Sequence, residues 1–382
     1  MKILFITHYD NMYGANKAMY KLIMKLKETG RHECMAVIPA AGELSKSLEK
    51  SGIRCIIHPI TQWQAPYKSF LRFAVKKFVR KKHFQQEVNE LYHILKDENI
   101  DVIHSNSSVI GTGAFLARRL GCQHIWHIRE FSKEHFAMKY FYNLDTVRKY
   151  YESADYLIAI SDSLKENYKK RYPKANVVRI YDGVDPTFED NRISHEDICF
   201  CYVGYLYEKK HQLEVINACR YLESRGIDNY RLYIIGDGKS DYKSKLEEAI
   251  AEIGTDRIEL TGYVDNVHDY LNRADVGIIA SEYEGFGLVT VEYMLHGLPV
   301  IGYSSGGTAE LVADGVTGLL VEEYDELGMA MQRLIENREL AMSMGEAGKK
   351  RAVGFSEEAN AMAVCKIYDM INGATEASIE NS

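Results

Sequence analysis

Short apolar runs that alternate with helical segments constrain the fold of this 382-residue chain more than any other feature. Such runs are typical of buried strands, and their alternation with helices predicts parallel sheets covered on both faces. They occur at Met1–Thr7, Cys34–Ile38, Asp101–His104, His124–Ile128, Tyr156–Ile160 and Val177–Ile180, and again at Ile198–Val203, Leu232–Ile235, Ile258–Leu260, Val276–Ala280, Pro299–Ile301 and Leu319–Val321. We therefore predict an α/β protein with two doubly wound, Rossmann-like domains.

A polar, irregular stretch at Asp185–Glu196 separates the two sets of strands and is predicted to be the linker. The length also favours two domains, because 382 residues exceed the usual size of one hydrophobic core. We predict an N-terminal domain over residues 1–186 and a C-terminal domain over residues 197–355, which face each other across a cleft.

Composition narrows the class of ligand and the compartment. A net charge of −7 gives no general attraction to nucleic acid, so an anionic ligand must be held locally. Seven scattered cysteines without a C-x-x-C pair favour a reduced, cytoplasmic setting. Cys199 and Cys201 share one face of a strand, where packing is favoured over a metal site. No signal peptide or membrane span is predicted.

The stretch from Ser281 to Glu292 carries the main chemical signal. A predicted strand ends before Gly285 and Gly287, and a helix follows, so free backbone N–H groups at the helix start can bind a phosphate. Glu284 and Glu292 can accept hydrogen bonds from sugar hydroxyls. A glutamate pair alone is also typical of a solvated helix face. With the glycines, the pair indicates a site for an activated sugar.

The segments that follow give this stretch a family context. Glu284-Gly-Phe-Gly-Leu288, Gly297-Leu-Pro-Val-Ile301 and Gly306-Gly-Thr-Ala-Glu310 occur in order and together resemble family 4 glycosyltransferases, retaining enzymes of the GT-B fold. The resemblance implies transfer of a sugar from a nucleoside diphosphate donor to an acceptor hydroxyl, in bacterial polysaccharide or glycolipid synthesis. It also implies that a C-terminal helix, residues 356–373, returns to the N-terminal domain.

The resemblance assigns roles in the C-terminal domain. Glu284 orients the sugar, Glu292 binds the ribose, and Lys210 holds the diphosphate. Tyr205 stands where the family usually has an arginine, and Lys209 is one candidate to replace its charge. The resemblance also implies donor contacts on strand-end loops and at the start of the helix, from Gly236, Val264, Gly285, Phe286, Gly287 and Leu288.

Three residues are predicted for the N-terminal domain. Gly14 fits the family's glycine loop near the donor phosphates. Many members have a histidine that hydrogen-bonds the donor sugar, and His127 and Arg129 are the two candidates for that catalytic place. The alternative is structural, with His127 as a core residue whose hydrogen bonds are satisfied and Arg129 paired with a nearby acid.

The donor and its requirements are predicted as follows. No cofactor is expected beyond the substrate, which is UDP- or GDP-linked, with UDP favoured. The chain has no D-x-D sequence at a predicted strand end, so the transfer is expected to be independent of metal.

Tyr67–Phe84 is a basic segment with interleaved apolar residues. It can lie on an anionic membrane surface near a glycan or lipid-linked acceptor, which would make the enzyme peripheral on the inner face of the cell membrane. It can equally be a helix that packs on the sheet with its lysines in water.

Two other activities remain open. A sugar-nucleotide epimerase of related fold would bind the same donor, and a catalytically silent sugar-nucleotide-binding protein would bind it without transfer. A nicotinamide-dependent oxidoreductase is disfavoured because G-x-G-x-x-G is absent, Gly111-Thr-Gly-Ala-Phe-Leu116 lacking the third glycine.

Overall fold

The structure, a computed structural model, describes residues 1–66, 70–132, 138–186, 193 and 195–380, and their side chains apart from those of residues 66, 70–76 and 374–380. The chain forms two compact units. The first comprises Met1–Gly183 with Glu357–Ser382, and the second comprises Val184–Ser356. Most of the predicted linker, residues 187–192 and 194, lies outside the described residues.

The first unit is built on a parallel sheet of seven strands in the order β3-β2-β1-β5-β6-β8-β9, with a separate antiparallel pair, β4 and β7. Its elements before the second unit are β1 (Lys2–Ile6), α1 (Gly14–Glu28), β2 (Glu33–Ile38), α2 (Glu43–Lys50), β3 (Arg54–Ile57), β4 (Gln64–Pro66), α3 (Phe70–Leu95), β5 (Val102–Ser105), α4 (Thr112–Leu120), β6 (Gln123–Ile128), β7 (Met138–Tyr140), α5 (Leu144–Glu152), β8 (Tyr156–Ala159), α6 (Asp162–Arg171) and β9 (Val177–Arg179).

The second unit is built on a parallel sheet of six strands in the order β12-β11-β10-β13-β14-β15. Its elements are β10 (Ile198–Val203), α7 (Gln212–Ser224), β11 (Tyr230–Ile235), α8 (Ser240–Ile253), β12 (Ile258–Gly262), α9 (His268–Leu271), β13 (Val276–Ile279), α10 (Leu288–Leu295), β14 (Val300–Tyr303), α11 (Gly306–Leu311), β15 (Gly318–Val321), α12 (Glu326–Glu336) and α13 (Arg338–Ala352).

The last helix, α14 (Glu357–Glu380), belongs to the first unit and packs on α1. Tyr368 is completely buried there. Lys25 Nζ lies 2.7 Å from a carboxylate oxygen of Glu358, and Arg31 binds Asp369 at 2.6 Å. The buried ring and the flanking ion pairs fix α14 on the first sheet's helical layer.

The predicted fold of two parallel-sheet α/β domains is confirmed. The strands were predictable because each central strand is a nearly continuous buried run, as in β1, where Ile3 to Ile6 are all 0% exposed. Among the described residues, three strands were not predicted. The edge strand β3 is only partly buried, and β4 and β7 have three residues each, so none of them gives a strong apolar signal.

Two further observations concern the surface and the thiols. Among the described residues, no helix combines the length and the apolar character needed to cross a bilayer.

All seven cysteines are free, and five of them are buried, as expected for thiols that act as small core residues.

The basic segment Tyr67–Phe84 falls mostly on α3. Residues 67–69 and the side chains of 70–76 lie outside the described part. Beyond them, Phe78 is 76% exposed and its neighbour Val79 is also exposed, whereas Phe84 is buried against Phe115. Lys81 Nζ lies 4.7 Å from the centre of the Tyr142 ring. The described half of the segment therefore presents apolar and basic side chains together.

Candidate functional site

The order of strands in the second unit defines where a ligand is expected to bind. From β10 the chain proceeds outward through β11 and β12, and it then returns to the other side of β10 to form β13, β14 and β15. The two loops that leave the carboxyl ends of β10 and β13 therefore diverge. In open α/β sheets, ligands bind at such a switch point. The predicted residues Lys210 and Glu284 lie on these two loops.

Lys210 ends a short 3-10 turn, Glu208–Lys210, that connects β10 with α7. The next residue, His211, has a φ of 57°, a left-handed conformation that is uncommon for a residue other than glycine. The Tyr202 hydroxyl, at the buried end of β10, donates a 2.6 Å hydrogen bond to the Lys210 carbonyl. These features fix the backbone that carries the lysine.

The Lys210 and Glu284 side chains meet. Lys210 Nζ lies 2.7 Å from Glu284 Oε2, and the two side chains are 28% and 20% exposed. The two loops are thus joined by one partly exposed ion pair. Sequence reasoning assigned both residues to the donor but did not predict their contact.

The backbone of Glu284 is fixed by the loop after β14. Its carbonyl accepts a 2.8 Å hydrogen bond from the Gly307 N–H. Gly306 has a φ of 55°, and a Cβ at this position would lie 2.5 Å from the Glu284 carbonyl oxygen. The glycines of Gly306-Gly-Thr-Ala-Glu310 therefore allow two backbones to approach closely. Their role in the structure is to hold the Glu284 loop.

The helix α10 begins where the sequence predicted a helix start. Gly287 precedes the helix with a φ of 98°, and α10 begins at Leu288. Phe286 is 2% exposed and contacts the Phe355 ring edge-on, whereas Gly285 and Glu292 are half-buried. Free N–H groups at such an end favour negative charge.

A buried tyrosine sets the position of α10 on the sheet. Tyr293 is completely buried, and its hydroxyl accepts a 2.7 Å hydrogen bond from the Val203 N–H at the end of β10. A Cβ on Gly277 of β13 would lie 2.2 Å from the Tyr293 ring, so the glycine makes room for it. Neither residue was predicted, although Gly277 is an isolated glycine inside a strand, which is a signal of close approach.

The loops after β10, β11 and β12 are joined by backbone hydrogen bonds. The Gly204 N–H donates to Ile235, and the Gly236 N–H donates to Gly262, each at 2.9 Å. Gly236 has a φ of 140°, and a Cβ there would lie 2.1 Å from the Gly204 carbonyl oxygen. Gly236 therefore has a structural reason to be glycine, whether or not it also contacts a donor.

The other predicted residues of this unit lie around these loops. Tyr205 is 55% exposed, and its carbonyl accepts a 3.0 Å hydrogen bond from Gln212. Lys209 and Val264 are half-buried. Their predicted contacts with a diphosphate and a base stay predictions.

The first unit has its own switch point, between β1 and β5. The predicted Gly14 begins α1 and is exposed, and a Cβ there would meet open space. The residues that organise this point are asparagines that sequence reasoning missed. Asn16 accepts a 2.6 Å hydrogen bond from Thr7, and Asn106 donates a 3.1 Å hydrogen bond to the Ala15 carbonyl. The sequence did carry a signal for this point, because Thr7 and Asn106 are polar residues that directly follow buried strands.

His127 and Arg129 lie in a buried network of the first unit. Arg129 forms an ion pair with Asp182, and its Nε donates a 3.0 Å hydrogen bond to Asn106. His127 is 0% exposed, and its Nδ1 lies 3.1 Å from Nε2 of His104. The ion pair with Asp182 fits the structural alternative for Arg129. His127 lies in the core, but its Nε2 makes no hydrogen bond within the described residues. Their predicted contact with the donor sugar stays a prediction.

Burial shifts the pKa values of this network. It lowers the pKa of His104 to about 3. Burial, followed by the charge of Arg129, lowers the pKa of His127 well below its ordinary value. Burial raises the pKa of Asp182, although the Arg129 guanidinium opposes that change. Both histidines are therefore neutral at neutral pH.

Two family models match the chain. The model described as Glycosyltransferase Family 4 matches residues 14–188, and the model described as Glycosyl transferases group 1 matches residues 184–351. The first match covers most of the first unit, and the second covers nearly all of the second unit.

Curated relatives agree with the family models. An uncharacterised glycosyltransferase of Methanocaldococcus jannaschii is 30% identical over 290 residues, which cover 73% of this chain and 78% of the relative. N-acetyl-alpha-D-glucosaminyl L-malate synthase of Bacillus anthracis is 29% identical over 52% of this chain and 55% of its own length. Lipopolysaccharide 1,2-N-acetylglucosaminetransferase of Salmonella typhimurium is 31% identical over 44% of this chain and 49% of its own length.

Solved structures show the same fold. Anabaena HepE, crystallised in complex with UDP and glucose, gives a TM-score of 0.78 at 20% identity and covers 97% of this chain and 99% of its own. Sucrose-phosphate synthase of Thermosynechococcus elongatus gives a TM-score of 0.77 at 20% identity, and the match covers 98% of this chain and 100% of the synthase chain. The chain therefore belongs to the family 4 glycosyltransferases, which have the GT-B fold.

Proposed function

We propose that this glycosyltransferase moves a sugar from a nucleoside diphosphate donor to an acceptor hydroxyl and retains the configuration at the anomeric carbon. The observation that carries the proposal is the ion pair between Lys210 and Glu284. It lies at the switch point of the second unit, beside the α10 N-terminus. A cation, a helix terminus and a carboxylate are the groups needed for a diphosphate joined to a sugar.

The ion pair has a specific use in this scheme. When a donor binds, the Lys210 ammonium exchanges the Glu284 carboxylate for the diphosphate, and Glu284 becomes available to sugar hydroxyls. Lys210 and the α10 N–H groups then stabilise the negative charge that grows on the diphosphate as its bond to the anomeric carbon breaks. Glu292, half-buried in the second turn of α10, binds the ribose.

We propose UDP as the donor nucleotide, because UDP and UDP-glucose are the ligands named for the structurally similar Anabaena HepE. A UDP-sugar at 100 times its dissociation constant should stabilise the protein by about 2.7 kcal/mol, a shift of several degrees in melting temperature. Thermal melts with a panel of UDP- and GDP-sugars measure this shift. If no nucleotide sugar stabilises the protein, the proposed donor site is wrong.

Product analysis separates transfer from the two other activities. Nuclear magnetic resonance should show a new glycosidic bond with the donor's anomeric configuration, formed without added Mg²⁺ or Mn²⁺. A donor converted to its epimer would identify an epimerase. A donor that binds but is neither transferred nor slowly hydrolysed would identify a silent binding protein.

We propose a glycan or lipid-linked acceptor, which the described part of α3 brings within reach by lying on an anionic membrane. Exposed Phe78 and Val79 beside Lys77, Lys81 and Lys82 have the required character. Reversing these three lysines to glutamate should weaken binding to phosphatidylserine vesicles at least about 100-fold, since each lysine near such a surface contributes about 1 kcal/mol.

A matched control introduces the same change of charge on a different helix. Reversal of Lys165, Lys169 and Lys170 on α6 should leave vesicle binding nearly unchanged. Equal loss in both triple variants would show only a general charge effect, and wild-type protein that does not sediment with the vesicles would rule out the surface.

A further inference from the structure

A histidine, a cysteine and an aspartate meet at the amino ends of the two central strands of the second unit. Cys199 is the second residue of β10, Asp275 directly precedes β13, and His195 lies in the segment that leads into β10. One ligand atom from each, an imidazole nitrogen, Sγ and a carboxylate oxygen, lies within 4.8 Å of the other two. This cluster is at the opposite end of these strands from Lys210 and Glu284.

The distances suit a small, tetrahedrally bound ion. Zinc bonds of 2.0 to 2.3 Å place neighbouring ligand atoms about 3.3 to 3.7 Å apart. His195 Nε2 lies 3.4 Å from Asp275 Oδ2, and all three ligand atoms lie within 4.8 Å of one another, so shifts of about 1 Å bring the set to zinc-binding distances. Thiolate, imidazole and carboxylate together favour zinc over the oxygen-seeking Mg²⁺ and Ca²⁺.

The surroundings hold the three residues in place. The Cys199 N–H donates a 2.9 Å hydrogen bond to Asp275 Oδ2, and the Asp275 N–H donates a 2.8 Å hydrogen bond to the Cys199 carbonyl. Arg338 donates a 3.1 Å hydrogen bond to the His195 carbonyl. Within the described part of the chain, the buried Nε2 of His195 makes no hydrogen bond. A metal ion would bind that nitrogen directly.

The charges also balance. One divalent cation, one thiolate and one carboxylate sum to zero, so the ion and its three ligands together carry no net charge. A simple ion pair would involve only His195 and Asp275, whereas a metal ion would be bound by all three residues. Cys201, the next cysteine on the same strand face, is completely buried and is not part of the cluster.

We propose that His195, Cys199 and Asp275 form a zinc site that ties the segment entering β10 to the start of β13, with water as the fourth ligand. This site is independent of the donor site and takes no part in the transfer. Because it joins the two strands whose other ends carry Lys210 and Glu284, bound zinc should raise the thermal stability of the second unit.

Cobalt provides a direct test on the full chain, because a thiolate bound to Co²⁺ gives a near-ultraviolet charge-transfer band. After removal of bound metal by chelator, titration should reach saturation at one Co²⁺ per chain, and Zn²⁺ should displace it. Cys199→Ala should abolish the band. His195→Gln and Asp275→Asn should each weaken Co²⁺ binding more than about 10-fold, because loss of even an outer-shell partner of a metal ligand costs about 10- to 100-fold in affinity.

The controls separate this site from adventitious binding. Cys201→Ala should retain the band, and Asp275→Asn keeps an oxygen that can accept the Cys199 N–H, so the variant should stay folded by circular dichroism. A chain without a charge-transfer band, or a folded Cys199→Ala variant that keeps it, would overturn the proposal. A melting temperature that does not change when zinc is added would also overturn the proposal.

Discussion

Replacing Lys210 with alanine should lower kcat/KM for sugar transfer by about 10² to 10³, the usual cost of losing one group aimed at developing charge. The reason is that Lys210 is the side-chain cation at the switch point that already contacts Glu284, at 2.7 Å. Transfer from a UDP-sugar, followed by release of UDP, measures the effect.

Stability should change little in the same variant. The Lys210 and Glu284 side chains are 28% and 20% exposed, and ion pairs near the surface contribute up to about 1 kcal/mol. Lys245→Ala, an exposed lysine on α8, is the matched control and should keep wild-type activity. If Lys210→Ala transferred sugar at the wild-type rate, the diphosphate would have to be held elsewhere.

Replacing Arg129 with methionine should destabilise the first unit by about 3 to 5 kcal/mol, because it leaves the Asp182 carboxylate buried without its cation. Arg129 and Asp182 are 8% and 3% exposed. Both tryptophans of the chain, Trp63 and Trp126, are buried in the first unit, so their fluorescence during urea unfolding reports on that unit.

The free energy of unfolding that Arg129→Met removes should increase from pH 5 to pH 8. Without the guanidinium, the pKa of Asp182, already raised by burial, rises further in the folded state. The folded variant then keeps a proton that the unfolded chain releases above about pH 4. A folded state that binds more protons loses stability as pH rises.

Two variants complete this test. Arg129→Met with Asp182→Leu should recover most of the lost stability, because the unpaired charge is removed. Arg148→Met, an exposed arginine on α5, should leave the unfolding transition unchanged. If Arg129→Met unfolded like wild type but failed to transfer sugar, Arg129 would act on the donor, as the family resemblance implies.

The strand pattern was predictable for a physical reason. Central parallel strands are buried on both faces, so runs such as Ile198–Val203 show as continuous apolar letters. The glycines of the Glu284 loop were also visible in the sequence. Their reasons differ, however: Gly287 has a left-handed backbone before a helix, whereas Gly306 makes room for the carbonyl of Glu284. The sequence indicates that both positions are glycine-dependent, but it does not show which of the two physical reasons applies to each.

The alternating architecture, the helix start after Gly287 and the candidate residues on strand-end loops could be predicted from the amino-acid sequence, because they depend on local pattern. Which side chains meet is visible only in the folded protein, because contact depends on strand order. That order brings Lys210 to Glu284 across 74 residues and Arg129 to Asp182 across 53. The first pair is partly exposed at a switch point, where a ligand can exchange with it. The second pair is buried, where breaking it costs stability.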